Sequence, residues 1–312
     1  ECRNTWEHKK WNITDFPEFE LAITIDRPEL YYDFLQKDWT RFCHDYWKNN
    51  FLEHHTLSQK RVTRIYIGNQ FCHNLFPKKK LLFQVLEKAL ENNLAVTLAF
   101  SYIRNHLLEE IDELLQELEV WCQSREKEAG KDQEEIIVND WAMPILLQGK
   151  PHLKPVLGVL LNKRRKDVRL PYKHGIGNHV DSLAENNLNC GFYQDYLRNT
   201  FDIQRFEFES CGYKVTIPDG HHSLHLPFFQ TNTSQYCTLY AVCRYGDRGK
   251  QKLPENCPRY CNKKVFLYPK HLKMVGRYNS LFGYDEKILW DEKQLQDYLE
   301  QGIDRIVVNV SL

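Results

Sequence analysis

Short apolar runs alternate with longer amphipathic stretches along the first half of the chain. Residues 79–91 repeat leucine and valine at intervals of three and four, and residues 107–126 repeat apolar side chains in the same way, so both are predicted to be helices. Residues 28–51 carry aromatic side chains at helical spacing. The apolar runs, which are predicted to be strands, cover residues 21–26, 64–69, 94–100, 135–140 and 155–161.

The second half is less regular. Residues 171–200 are rich in Gly, Asn and His and have no periodicity, which predicts a long loop. The remaining predicted elements are extended segments at 205–209, 213–217 and 223–228, a helix at 292–299 and a last strand at 305–310.

Strands that alternate with helices form mostly parallel sheets, and the number of repeats together with a C-terminal strand favours a closed sheet. We therefore expect an α/β fold, a TIM-like (β/α) barrel with an irregular second half, as one domain over residues 1–312. Residues 1–55 are only partly placed by this pattern. Residues 229–285 are expected to form an inserted loop that carries cysteines.

Composition fits a globular protein and excludes some classes. The chain has 312 residues, of which 42% are hydrophobic and 27% charged, and Lys+Arg and Asp+Glu each total 42. Balanced charge disfavours nucleic acid as a partner, because such proteins carry a basic excess. The basic run at 163–166 is predicted to be a solvated turn. No apolar run reaches the roughly 18 residues of a membrane span, and no signal-peptide core is present, which leaves a cleaved signal open. A cytoplasmic location is expected on a different ground, because metal sites built from thiolates belong in a reducing compartment.

Three of the ten cysteines lie close together in the C-terminal half. Cys257 and Cys261 form a C-x3-C pair, and Cys243 precedes the pair by thirteen residues of polar, Gly-containing sequence. Three thiolates on one loop can bind one metal centre, and a [4Fe–4S] cluster takes a fourth, which can be distant in sequence. Cys72 is the best fourth candidate because it follows strand 64–69, and loops after barrel strands meet at one face.

Other interpretations of the cysteines remain open. Cys237 competes with Cys243 as a ligand, and four cysteines also suit zinc, although zinc sites usually pair two short knuckles. A disulfide framework is typical of small secreted domains without a large core, although Asn-x-Ser/Thr triplets at Asn12, Asn232 and Asn309 leave secretion open. The cysteines expected to be buried small apolar residues are Cys43, Cys122, Cys190 and Cys211.

Polar residues follow several predicted strands, where they can line the active face of a barrel or cap the next helix. The substrate-binding candidates are Asp26, Asn69, Asn139, Asp140 and Glu209. Glu207 and Glu209 share one face of their strand, and an outward salt bridge is expected there more than a site in the barrel mouth. The histidines of 221–225 are expected to be a polar strand start more than a metal site. Gly-x-Ser-x-Gly and His-Glu-x-x-His motifs are absent.

Several of these segments together resemble the peptidase U32 (collagenase-like) family. Within it, the chain is most similar to the small cluster-binding proteins of oxygen-independent ubiquinone biosynthesis. The similarity spans residues 60–285 and leaves the first 55 residues unmatched. The matching segments are IYIGNQFC at 65–72, VNDW at 138–141, the cysteines of 243–261, VFL at 265–267 and GRYN at 276–279.

The resemblance implies a TIM-like barrel with a [4Fe–4S] cluster held by four cysteines, and a role in hydroxylation without dioxygen or in RNA modification. We therefore expect a cluster-binding protein that takes part in oxygen-independent hydroxylation or related redox modification of a small molecule, with a related subunit as partner. The alternative is a non-catalytic electron-transfer or structural partner of such a subunit. Peptidase chemistry ranks last because the nucleophile motifs are missing. The expected ligands are Cys72, Cys243, Cys257 and Cys261.

Overall fold

An eight-stranded parallel sheet forms the centre of the computed structural model, which describes residues 6–12, 17–129, 133–169, 183–250, 252–254 and 256–310. The strand order is β5-β4-β3-β2-β1-β12-β7-β6, and a parallel bridge from Leu157 to Phe206 connects the two edges. The sheet is therefore a nearly closed barrel, and the predicted TIM-like fold is confirmed. The strands are β1 (Glu20–Ile25), β2 (Arg64–Gly68), β3 (Ala95–Ala99), β4 (Glu134–Val138), β5 (Leu153–Leu157), β6 (Glu207–Glu209), β7 (His222–Leu226) and β12 (Ile303–Val308).

Amphipathic helices cover the outside of the barrel and bury their apolar faces against it. The predicted helix at 79–91 is confirmed over its whole length, and its buried residues are Leu82, Val85, Leu86 and Ala89. Among the described helices, none combines the length and the apolar character needed to cross a bilayer. The helices are α1 (Pro28–Gln36), α2 (Trp39–Asn49), α3 (Thr56–Gln59), α4 (Lys79–Glu91), α5 (Leu108–Ala129), α6 (Ala142–Leu146), α7 (Gly191–Phe201), α8 (Thr238–Tyr245) and α9 (Glu292–Glu300).

A second, smaller sheet lies over the carboxyl end of the barrel. Its four strands are antiparallel in the order β8-β11-β10-β9, so the segment 229–285 is more regular than the expected loop. The ring of Phe282 packs on that of Phe71, which follows β2, with 4.9 Å between centroids. The strands are β8 (Phe228–Thr233), β9 (Phe266–Leu267), β10 (Met274–Arg277) and β11 (Ser280–Tyr284).

The amino end of the barrel is filled by paired charges. Arg305 donates to both carboxylate oxygens of Glu135 at 2.7 and 3.0 Å and to Glu20 at 2.6 Å. Arg64 donates to Glu20 at 2.8 Å, so two arginines and two glutamates form one network. Above it, small and branched side chains fill the barrel interior around the Tyr66 ring. This second core consists of Ala22, Tyr66, Ala99, Ile137, Val156 and Val307.

Several expectations from the sequence are wrong. Part of the predicted loop 171–200 is helix α7, and residues 170–182 lie outside the described residues. The basic run 163–166 is not simply a solvated turn, because Arg164 donates to the Cys211 sulfur and Lys166 pairs with Glu209. Cys190 is exposed at the start of α7 and Cys43 is only half-buried, whereas Cys122 and Cys211 are buried as expected.

Candidate functional site

Four cysteines line one small cavity between the barrel and the small sheet. They are Cys72, Cys237, Cys257 and Cys261, and the cavity holds about 20 Å³. Leu75, Leu239 and the rings of three tyrosines complete much of the lining. Cys72 comes from the loop after β2, whereas the other three come from residues 237–261, so folding joins distant parts of the chain. We call this space the cysteine cavity.

Local turns present these sulfur atoms to the cavity. The side-chain oxygen of Asn69 accepts hydrogen bonds from the backbone N–H groups of Phe71 and Cys72, each at 2.9 Å, and so fixes the loop that carries Cys72. Cys237 is the N-cap of α8, and its sulfur accepts from the Tyr240 N–H at 3.3 Å. The same thiol donates to the Tyr278 carbonyl at 3.1 Å. Hydrogen bonds therefore fix the loop that carries Cys72 and hold the sulfur of Cys237 directly.

Cys243, the other predicted ligand, does not line this cavity. It lies in α8, six residues after Cys237, and it is half-buried. The structure thus brings together Cys72, Cys257 and Cys261 and places Cys237 beside them. Spacing alone leaves Cys237 and Cys243 as competitors, and the position of Cys237 at the start of α8 distinguishes them.

Burial governs the chemistry of these thiols. Burial raises the pKa of Cys72 to about 12, although an N–H group at Asn74 opposes this change. Burial likewise raises the pKa of Cys261 to about 12, although the positive charge of Arg277 lowers it in part. A buried thiol becomes a thiolate when a cation binds, because the cation replaces lost hydration. The nine described cysteines are all free thiols.

Among the described residues, no group of three or more His, Cys, Asp or Glu side chains is arranged to hold a single metal ion. A cubane cluster makes a different demand, because each of its cysteines binds a different iron and the sulfurs stand farther apart than around one ion. Four soft sulfur donors, apolar walls and N–H groups directed at sulfur are the features that hold and tune iron–sulfur clusters. The donor set of the cysteine cavity is the kind that a [4Fe–4S] cluster takes, but the cavity, at about 20 Å³, is only water-sized, so the thiols would have to move apart to hold a cluster.

A second cavity, of about 30 Å³, lies at the mouth of the barrel. Three of the substrate-binding candidates line it, namely Asp26, Asn69 and Glu209. One carboxyl oxygen of Asp26 is buried without a hydrogen-bond partner, and the other accepts from the Tyr278 hydroxyl at 3.3 Å. Tyr278 also lines the cysteine cavity, so one side chain extends from the thiols to Asp26 of the mouth cavity.

The glutamates of β6 face inward, so the expected outward salt bridge is wrong. Glu207 is fully buried and pairs with His225 Nε2, and the Tyr66 hydroxyl donates to it at 3.0 Å. Burial alone would raise the pKa of Glu207, but the charges of His225 and Arg305 outweigh it and lower that pKa. Glu209 pairs with Lys166. His225 lines the mouth cavity, although the sequence pattern predicts only a polar strand start there.

The last two substrate-binding candidates hold the scaffold together. The Asn139 side chain donates to the Phe100 carbonyl at 2.7 Å and accepts from the Leu160 N–H at 3.1 Å. Asp140 accepts from the N–H groups of Ala142 and Met143 at 3.0 and 3.1 Å, at the start of α6. Neither residue lines the mouth cavity.

The chain matches no protein-family model and no curated protein sequence.

Proposed function

We propose that this protein binds a [4Fe–4S] cluster through Cys72, Cys237, Cys257 and Cys261. The observation that carries the proposal is the meeting of Cys72 with three cysteines from residues 237–261 around one cavity. Cys237 replaces Cys243 in the expected ligand set because its sulfur lines that cavity. When bound, such a cluster supplies one-electron transfer.

We propose further that the protein takes part in oxygen-independent redox modification of a small molecule, with a related subunit as partner. The residues of the mouth cavity support a role in binding a polar group. The unpartnered oxygen of Asp26 can accept a hydrogen bond, and His225, held by Glu207, can exchange a proton with a bound group. Tyr278 lies between this cavity and the thiols and orients the Asp26 carboxyl.

One observation favours the alternative of a non-catalytic partner that carries electrons to a related subunit. The mouth cavity has room for about one or two water molecules, because the small sheet covers the barrel mouth. A substrate there would require movement of the small sheet. Iron analysis tests the part that both alternatives share.

The test is anaerobic purification followed by iron and sulfide analysis of the wild type and cysteine variants. We expect about four irons and four sulfides per chain in the wild type. Cys72→Ala, Cys237→Ala, Cys257→Ala and Cys261→Ala should each lose most of the iron and the visible absorbance. Cys243→Ala should keep both, as should Cys122→Ala, the control at a buried cysteine outside the cavity.

Two results would contradict the proposal. Wild-type protein with one zinc and no sulfide would show a tetrahedral zinc site instead. Loss of iron in Cys243→Ala with retention in Cys237→Ala would restore the ligand set expected from sequence.

The cluster-loaded protein is also expected not to hydrolyse peptides, because hydrolysis needs an activated nucleophile or a metal-bound water beside a base. Anaerobic incubation with gelatin checks this. Cleavage that persists after cluster removal and is lost in Asp140→Ala would favour a peptidase.

A further inference from the structure

A wide groove opens beside the cysteine cavity. It encloses about 1010 Å³ and shares Cys257 and Asn74 with the lining of that cavity. Small-molecule sites commonly enclose roughly 300–1,000 Å³, so the groove can hold an organic ligand, whereas the barrel mouth holds only water-sized groups. We call this space the thiol-side groove.

Two half-buried arginines in the groove have uncommitted donors. Arg104 directs one nitrogen to the Gln235 carbonyl and to the Tyr102 hydroxyl, but its Nε is buried without a partner. Arg259, two residues after Cys257, lines the groove, and its guanidinium makes no hydrogen bond or ion pair with the described residues. Within the described chain, no carboxylate pairs with either side chain. Removing a guanidinium group from water without giving it an acceptor costs free energy. Such a group therefore binds a carboxylate or sulfonate well.

Other charges in the groove do not satisfy the arginines. Glu117 is bound to Lys79 at 2.9 Å. Glu110 and Glu113 are exposed on α5, where water solvates them. Among the described residues, the half-buried part of the groove therefore has an excess of positive charge.

The groove also has apolar walls. The rings of Phe76 and Phe100 stack with 4.3 Å between centroids, and Ile111, Leu114 and Leu253 add aliphatic surface. Apolar walls with a few convergent charged groups are the usual composition of a site for an organic ligand.

We infer that the thiol-side groove binds a small organic anion, with an apolar body against Phe76 and Phe100 and its charged group at Arg104 and Arg259. The inference rests on the proposed function only in placing this anion next to a cluster. Binding itself requires no cluster, so the two proposals can fail separately.

The probe is 8-anilino-1-naphthalenesulfonate, whose fluorescence rises when its rings leave water, titrated into the full chain. We expect saturable binding that Arg259→Gln and Arg104→Gln each weaken about tenfold, in line with the loss of a charge-assisted hydrogen bond. Arg259→Lys should keep most of the affinity because it keeps the charge. Arg198→Gln, at an exposed arginine of α7, is the matched control and should bind as the wild type does.

Circular dichroism and thermal melting establish that the variants fold, and Arg259→Gln is the cleanest because the Arg259 side chain has no bond to a described residue to lose. Iron content read in the same samples separates the proposals: iron-free protein that binds the probe supports the groove and overturns the cluster. Unchanged affinity in both glutamine variants would overturn the inference. Equal binding of uncharged 1-anilinonaphthalene would overturn the need for an anion, and inorganic phosphate competing as well as the probe would overturn the need for an apolar body.

Discussion

The two ends of the barrel use polar residues in opposite ways. At the amino end, Glu20, Arg64, Glu135 and Arg305 are joined in one network, and none of their buried nitrogen or oxygen atoms lacks a partner. At the carboxyl end, an Asp26 oxygen is unpartnered and four thiols surround a cavity. Buried polar groups are normally satisfied, so an unsatisfied one that lines a cavity, as Asp26 does, is a candidate for ligand binding. The amino end therefore serves stability, and the carboxyl end is the candidate site.

The largest loss of stability is expected when a mutation breaks the network at the amino end. Arg305→Ala removes a buried guanidinium and leaves the half-buried Glu135 and Glu20 with Arg64 as their remaining close partner, so the free energy of unfolding should fall by about 3–5 kcal/mol. Urea denaturation measures the change. Arg198→Ala, which removes an exposed pair with Asp195, should cost less than about 1 kcal/mol. A similar cost in the two variants would show that the network does not stabilise the barrel.

Acid should lower the stability that the amino-end network contributes. Burial alone would raise the pKa of Glu135, but Arg64 and Arg305 outweigh it and lower that pKa to about 2. A depressed carboxyl pKa gives stability that is present above the unfolded value of about 4.5 and is lost as pH falls toward 2. The contribution is about 3 kcal/mol, because a tenfold change in proton affinity between the folded and unfolded chain is worth about 1.36 kcal/mol. Unfolding free energies from pH 7 to 3 should show about 2 kcal/mol of this loss, because the remainder is lost only below pH 3, and Glu135→Gln should not show it.

A separate loss of folding stability is expected as pH falls from 6.5 to 4. Burial lowers the pKa of His55 and of His222 to about 4, so the unfolded chain takes up protons before the folded one. This loss should persist in Glu135→Gln. A flat profile in that window would contradict the buried, neutral state of both histidines.

The sequence predicts the elements whose side chains repeat regularly. Helix α4 has the predicted bounds because Leu82, Val85 and Leu86 repeat on one face. Helix α7 lies where the sequence predicts a loop, because Gly and Asn dominate the preceding segment, although Tyr193, Leu197 and Phe201 recur four residues apart. That periodicity is the signal that could locate the helix.

The pairing of side chains cannot be predicted in the same way. Arg305 and Glu20 are 285 positions apart, and no local pattern relates them. The C-x3-C pair indicates a site at Cys257 and Cys261, but the choice between Cys237 and Cys243 depends on where α8 begins. Asn139 and Asp140 follow a strand as active-face residues do, yet their partners are backbone groups.

A smaller effect tests the scaffold role of Asn139. A Cβ added at Gly158 would overlap the Asn139 side-chain oxygen and approach Ile137 at 2.6 Å. Gly158→Ala should therefore lower the free energy of unfolding by about 1–3 kcal/mol. Gly191→Ala is the control, because no atom lies within 4 Å of its added Cβ. Equal stability in the two variants would mean that Asn139 moves freely and remains available to a ligand.

The smallest change in stability is expected at the barrel mouth. Asp26→Ala removes the hydrogen bond from Tyr278, worth about 1 kcal/mol, and also removes a buried oxygen whose missing partner costs a similar amount. The two effects oppose each other, so the free energy of unfolding should change by less than about 1 kcal/mol. Tyr278→Phe, which removes the hydroxyl but keeps the ring beside the thiols, should lose about 1 kcal/mol because it leaves both Asp26 oxygens unpartnered. If Asp26→Ala instead costs as much as Arg305→Ala, then Asp26 stabilises the fold, and the contrast between the two ends of the barrel does not hold.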